Sequence, residues 1–172
     1  MSMKLLPLLA VLWLGGMGLD SAVLAQPAPT LGQGPGFHDP RSPFKPLQER
    51  DGVLTWQLLS AVTTKADKNR LLPIFPAAVQ ALDKQKVKVQ GFMMPLEPGD
   101  KQRHFLLSAV PTTCSFCVPA GPEGLIEVRT KQPVRYSLEP VTVEGVLAVL
   151  SDDPYGMFYR VLDGQAVSAA AN

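Results

Sequence analysis

The two cysteines of this chain stand three positions apart, as Cys114 and Cys117 in the stretch TCSFCVPAGPEGL. A C-x-x-C pair can close into a local disulfide, cycle as a redox dithiol, or offer two soft thiolates to zinc or copper. A c-type haem attachment is excluded, because residue 118 is Val where that motif needs His. A four-cysteine zinc site is excluded because the chain has two cysteines. A thioredoxin-like pair sits where a strand opens a helix whose N-terminus lowers the thiol pKa. Here Val118-Pro119-Ala120-Gly121-Pro122 follows and starts no helix of any length, so the redox dithiol is the minority reading. On the residues alone, the disulfide and the metal site have comparable claims.

Two thiolates half fill a tetrahedral site, so further ligands must come from elsewhere. His104 is ten residues of mostly extended chain from Cys114, which at about 3.3 Å per residue puts up to about 30 Å between them. It is therefore expected not to share a metal with the cysteines, and the same separation opposes a Cys-His hydrolase. Met93 and Met94 would pair near His104, a set that could take copper, but strand methionines are better read as core packing. The strand opening at Leu125 is expected to pair antiparallel with residues 141–150. That pairing would bring the turn Ser151-Asp152-Asp153-Pro154-Tyr155-Gly156 near the cysteine loop, with Asp83 and Glu123 close by. An ordinary turn remains the better reading of that segment. No Gly-rich phosphate loop, H-E-x-x-H or paired-carboxylate motif is present, and nothing in the sequence asks for catalysis.

The compartment decides what cysteines can do. Lys4, the apolar run from Leu5 to Met17 and the small-residue motif Val23-Leu24-Ala25 read as a secretory signal peptide over residues 1–25. That run of about 13 residues is short of the roughly 20 that span a bilayer, so cleavage leaves a soluble exported chain with no stable membrane anchor. Residues 26–50, QPAPTLGQGPGFHDPRSPFKPLQER, read as a Pro/Gly-rich linker in which His38 is incidental. A β domain is expected over 51–165 and a flexible tail over 166–172. The formal charge of +1 gives no global field toward nucleic acid.

The elements that must position the cysteines follow from periodicity. Val53, Trp56, Leu58 and Leu59 predict a short helix through Ala61, and Pro76 opens a second through Leu82. In KVKVQGFMMPL the period changes to two, with Val87, Val89, Gly91 and Met93 on one face and Lys86, Lys88 and Gln90 on the other. Further strands are expected over 104–110, 125–129, 141–150 and 157–162. The V-x-V-x-G core recurs in VKVQGFMM and VTVEGVLAV, placing Gly91 and Gly145 inside strands as bends or bulges. Five strands joined by Pro/Gly turns predict a mainly β fold, a small five-stranded OB-like Greek-key barrel with one or two short helices.

Trp56 and Leu59, then Leu82-Asp83 through Gly91-Phe92 to Pro95-Leu96-Glu97, then Phe105-Leu106-Leu107, then Cys114 to Pro122 run in an order that resembles a family of exported bacterial proteins, the domain of unknown function 3299. That resemblance spans about residues 53–163, a single domain. The family motif reads Cys, one residue, then His before Val-Pro. Aligned on Val118-Pro119, Cys117 takes the place of the His and Cys114 falls one residue earlier. A Cys/His pair cannot be a disulfide but can hold a transition metal, so the resemblance implies zinc or copper at Cys114 and Cys117. The resulting reading is a periplasmic binding module for metal binding or delivery, with a metal ion or an exported protein, such as a transporter component, as partner. The alternatives are an interaction domain with a local disulfide and a dithiol redox protein.

Overall fold

Strand β3 (Lys86–Pro95) begins with the alternation its sequence displays: Val87 and Val89 are buried in the core, while Lys86 and Lys88 reach Glu144 across the outer surface. From Gln90 the alternation stops, and Gln90, Gly91, Phe92 and Met93 are all buried. Gln90 is thus not on a solvated face as expected. The outer face of this half is covered, with the Trp56 indole N–H donating to the Gln90 carbonyl at 2.8 Å and Phe44 packing edge-on against Phe92. The computed structural model describes residues 34–167. The expected signal peptide, residues 26–33 and the last five residues of the tail lie outside the described residues.

The chain enters through α1 (Trp56–Leu59), an exposed hairpin of β1 (Thr63–Asp67) and β2 (Arg70–Ile74), and α2 (Ala77–Gln80). Both helices are one turn long, shorter than their sequence patterns suggest. Thr55 caps α1 by accepting from the Leu58 N–H. After β3 come β4 (Lys101–Ser108), β5 (Leu125–Arg135), β6 (Val141–Val149) and β7 (Tyr159–Val167). These five form a closed barrel in the order β3-β4-β5-β7-β6, with β6 pairing back onto β3. Counted within the barrel this is 1-2-3-5-4, with the third and fifth strands parallel, the five-stranded Greek-key arrangement of an OB-like barrel.

The core holds Val89, Phe105, Leu107, Ile126, Val128, Val143, Leu147 and Val161, all essentially without solvent access. Leu59, Phe75 and Val79 belong to the same cluster, so α1, α2 and the end of the hairpin cover the barrel. Tyr159 ties them to it, donating its hydroxyl to the Leu59 carbonyl at 2.6 Å while its ring packs on Phe75.

The two internal glycines mark the bends. β3 pairs with β6 up to Gly91 and with β4 from Phe92 onward. A Cβ at Gly91 would come within 2.8 Å of the Ser108 carbonyl oxygen. At Gly145 the β6–β7 register shifts between Glu144 and Val146, and a Cβ would meet Val161 Cγ1 at 2.5 Å and the Leu162 carbonyl at 2.7 Å.

The pairing expected for the strand at Leu125 needs correction. β5 lies antiparallel to β4 and parallel to β7, while β6 pairs with β3 and β7. Parallel neighbours are joined through long connections, here the whole of β6, so the partner of β5 is not the next strand in sequence. Asp83 caps the far end of β6, its carboxylate accepting the Val149 N–H at 3.0 Å.

Gly145→Ala should destabilise the barrel by about 1–3 kcal/mol through overpacking against Val161. Urea unfolding would read this as a lower midpoint with an unchanged slope. A midpoint equal to wild type would mean that β7 yields at this point.

Candidate functional site

The connection from β4 to β5 leaves the barrel through buried Ala109, Val110 and Pro111 and then makes two successive turns. The Cys114 N–H donates to the Pro111 carbonyl and the Cys117 N–H to the Cys114 carbonyl, both at 3.3 Å. Cys114 and Cys117 are joined as a disulfide with their Cα atoms 5.4 Å apart. Cys114 is buried, whereas Thr112, Thr113, Ser115 and Phe116 face solvent, Phe116 being 48% exposed. A ring this short contributes less to global stability than the roughly 3 kcal/mol of a fifteen-residue one. Its main effect is on local shape.

A second segment holds the loop from outside. Residues 34–50 form no helix, and Phe37 and Val118 exchange both backbone hydrogen bonds, at 2.8 and 2.9 Å. Gly36 makes this approach possible: its φ is +93°, and a Cβ there would sit 2.9 Å from the Val118 carbonyl oxygen. Two residues past the bridge, buried Asp39 takes a fork of bonds from the Arg41 side chain, Nε to Oδ1 and Nη2 to Oδ2, both 2.9 Å, and accepts the Arg41 N–H at 2.8 Å. These bonds pull the Asp39 carboxyl down to about 2, the side-chain pair being the largest cause, and raise the Arg41 pKa. The guanidinium so fixed lies 4.8 Å from the centre of the Phe116 ring, a cation–π contact. The site is therefore a disulfide-closed loop carrying an exposed aromatic ring with an oriented cation stacked on it.

The expected site residues separate. His104 is not with the cysteines but on the outer face of β4, where its Nε2–H meets Glu127 Oε1 at 2.8 Å. Met93 pairs with Leu107 and Met94 with Leu106, and Met93 is buried in the core. His38 is half-buried, with its Nε2 lacking a hydrogen-bond partner among the described residues. The pair Cys114 and Cys117, expected as zinc or copper ligands, is bonded sulfur to sulfur, and among the described residues no three His, Cys, Asp or Glu groups converge as a metal would require. The geometry fits the local disulfide.

Sequence reasoning missed a charged network on the outer face of β4, β5 and β7. Glu127 is buried, and receives Arg160 Nε at 2.5 Å, Arg129 Nε at 2.9 Å and His104. Arg160 also donates to Asp153 at 2.9 Å, while Asp153 accepts the N–H groups of Tyr155 and Met157 and so sets the turn between β6 and β7. Burial alone would raise the Glu127 pKa, but the bonds from Arg160, His104 and Arg129 outweigh it and hold the carboxyl below its usual value. Asp153 is likewise lowered, the Arg160 and backbone bonds overcoming its burial. The available signal was an acidic residue between the core positions Ile126 and Val128, facing two arginines in the same sheet.

The sequence model of a family described as protein of unknown function (DUF3299) matches residues 46–158. A crystal structure of a DUF3299 family protein from Pseudomonas aeruginosa PAO1 is similar at 22% identity and a TM-score of 0.38, covering 53% of this chain and 66% of that one. No curated protein matches the chain.

Because the folded Glu127 and Asp153 pKa values lie below their unfolded ones, their contribution is fully present above the usual carboxylate range and is lost as pH falls through the lowered values. Glu127→Gln should destabilise the protein by about 1–3 kcal/mol at neutral pH by leaving Arg160 half-satisfied. The gap from wild type should narrow on acidification in thermal melts. A gap independent of pH would show that Glu127 acts by shape alone.

Proposed function

The chain belongs to the DUF3299 family, and from that premise we propose that it is an exported, periplasmic binding module that recognises a partner protein through the disulfide-held loop at residues 111–118. The observation that carries this reading is the Phe116 side chain, half exposed at the tip of a loop whose backbone is fixed by the disulfide and by the Phe37–Val118 bridge, with the Arg41 guanidinium that Asp39 orients stacked on its ring. Protein interfaces draw most of their affinity from a few aromatic and arginine side chains, and a loop ordered beforehand loses little entropy on binding. Phe116 with Arg41 supplies both residue types, and Thr112, Thr113 and Ser115 supply exposed hydroxyls around them.

The proposed export accords with this reading, because a cysteine pair this close persists as a disulfide in an oxidising compartment. The expected signal peptide provides the route, and the mature chain would begin at Gln26. In this compartment the oxidised pair has no thiolate to offer a metal, so zinc or copper binding at Cys114 and Cys117 belongs to the reduced form, and a transporter component would be recognised as a protein surface.

A photoreactive residue at Ser115, installed in the exported protein in its native host, should crosslink to one defined protein, and Phe116→Ala should abolish that adduct. In quantitative binding to the protein so identified, Phe116→Ala should cost roughly thirtyfold in affinity and leave the melting temperature unchanged, since the ring contributes little to the core. The same preparation should show no free thiols and no bound zinc or copper. Free thiols with stoichiometric metal, lost in Cys114→Ser, would replace this reading with the metal site. An adduct indifferent to Phe116 would remove the loop from the interface.

A further inference from the structure

We propose that the cleft between the β1–β2 hairpin and the turn joining β6 to β7 binds a small organic cation, an ammonium group on an apolar chain, with Glu123 as its counter-charge. This site is separate from the loop at 111–118 and stands independently of the reading given to it. The cleft has a volume of about 490 Å³, within the roughly 300–1,000 Å³ of small-molecule sites. Leu71 and Leu72 line it from the hairpin, Pro154, Met157 and Phe158 from the turn, and Pro122 and Glu123 from the 3-10 turn that precedes β5.

The charges around the cleft do not balance. Arg70 is taken by Asp152, at 2.5 Å, and Asp153 by Arg160, at 2.9 Å. Glu123 is only 7% exposed, and its Oε1 is buried with no hydrogen-bond partner among the described residues. Burial and, after it, the nearby Glu123 charge raise the Tyr159 phenol pKa, but the Tyr159 hydroxyl is committed to the Leu59 carbonyl. Gly121 lies against the other carboxylate oxygen, where a Cβ would come within 2.7 Å of Oε2. Buried acceptors in native structures are nearly always satisfied, and an exception beside an open cleft is explained by a group supplied from outside the chain, such as an ion or a water.

The partner's chemistry follows from the lining. Calcium or magnesium takes six or more oxygens, waters included, and a hydrated ion gains nothing from the apolar walls of this cleft. A single ammonium needs one strong acceptor, and it forms a charge-assisted hydrogen bond that a low-dielectric wall strengthens. The leucines, prolines, Met157 and Phe158 suit the attached hydrocarbon chain.

The test is a titration of the isotope-labelled protein with n-hexylammonium, with n-hexanol as the neutral counterpart, followed by amide chemical shifts. Hexylammonium should produce saturable shifts at Leu71, Glu123 and Phe158, and hexanol should bind about tenfold more weakly or worse. Glu123→Gln should weaken hexylammonium by a similar factor and leave hexanol unchanged. Leu71→Asn, at a residue 64% exposed and so not needed for folding, should weaken both ligands, and it decides the matter if the Gln variant does not fold. The proposal is overturned by the absence of localised shifts, by equal binding of amine and alcohol, by full hexylammonium affinity in Glu123→Gln, or by unchanged affinity in Leu71→Asn. The first of these results would leave an ordered water as the partner of Oε1.

Discussion

Closure of the barrel depends on one strand serving two partners. β3 gives residues 86–91 to β6 and residues 92–95 to β4, and it can turn from one to the other only if nothing projects from Gly91 toward the Ser108 carbonyl. A strand that stayed with one neighbour would leave a sheet with two open edges, each a template for unwanted pairing. With the turn made, every barrel strand has two neighbours. Val89, Phe105, Val128, Val143 and Val161 then meet in one interior.

A closed small barrel has no room inside for a ligand, because side chains fill it. Whatever this protein recognises must be met by its connections and outer faces. The structure shows how such outer features are given definite shape. The β4–β5 connection is stiffened by a covalent ring and by a segment lying more than seventy positions earlier in the chain, through Phe37 and Val118. The β6–β7 turn is stiffened by Asp153, which answers to Arg160 and through it to Glu127. In both places a carboxylate orients an arginine, once to present it beside an aromatic ring and once to bind three strands together. The first arrangement leaves Arg41 and Phe116 at the surface, and the second withdraws Glu127 from it.

What the sequence discloses is what neighbouring residues determine. The alternation at Val87 and Val89 and the recurrent V-x-V-x-G make the strands and both bends visible, since a glycine inside a strand pattern marks a bulge or a tight bend. The hairpin of β1 and β2 is not visible because neither strand buries an apolar face: TTKAD is exposed throughout and gives no period to read. Its turn passes through Lys68 at a φ of +53°, a conformation that lysine does not advertise. The partner of β5 is hidden because nearness in sequence favours β6, whereas closure requires β7. The tie between Phe37 and Val118 is invisible on different grounds: a Pro/Gly-rich segment shows no apolar period whether it is free or docked through its backbone. The spacing of Cys114 and Cys117 suits a local bridge or a ligand pair equally, and the bonded sulfurs fit the bridge.

The last of the five barrel strands in sequence does not come last in space. β7 is inserted between β5 and β6, parallel to one and antiparallel to the other, and it brings Tyr159 and Val161, both wholly buried. A nascent chain that has reached residue 158 therefore holds two unpaired edges around an unfilled interior, whatever its earlier strands have done. The barrel cannot close before β7 is present, because the non-local pairings that reward closure do not yet exist. The topology that makes the finished barrel self-contained thus ties its closure to the arrival of a single strand, and a chain cut before Tyr159 keeps its interior open.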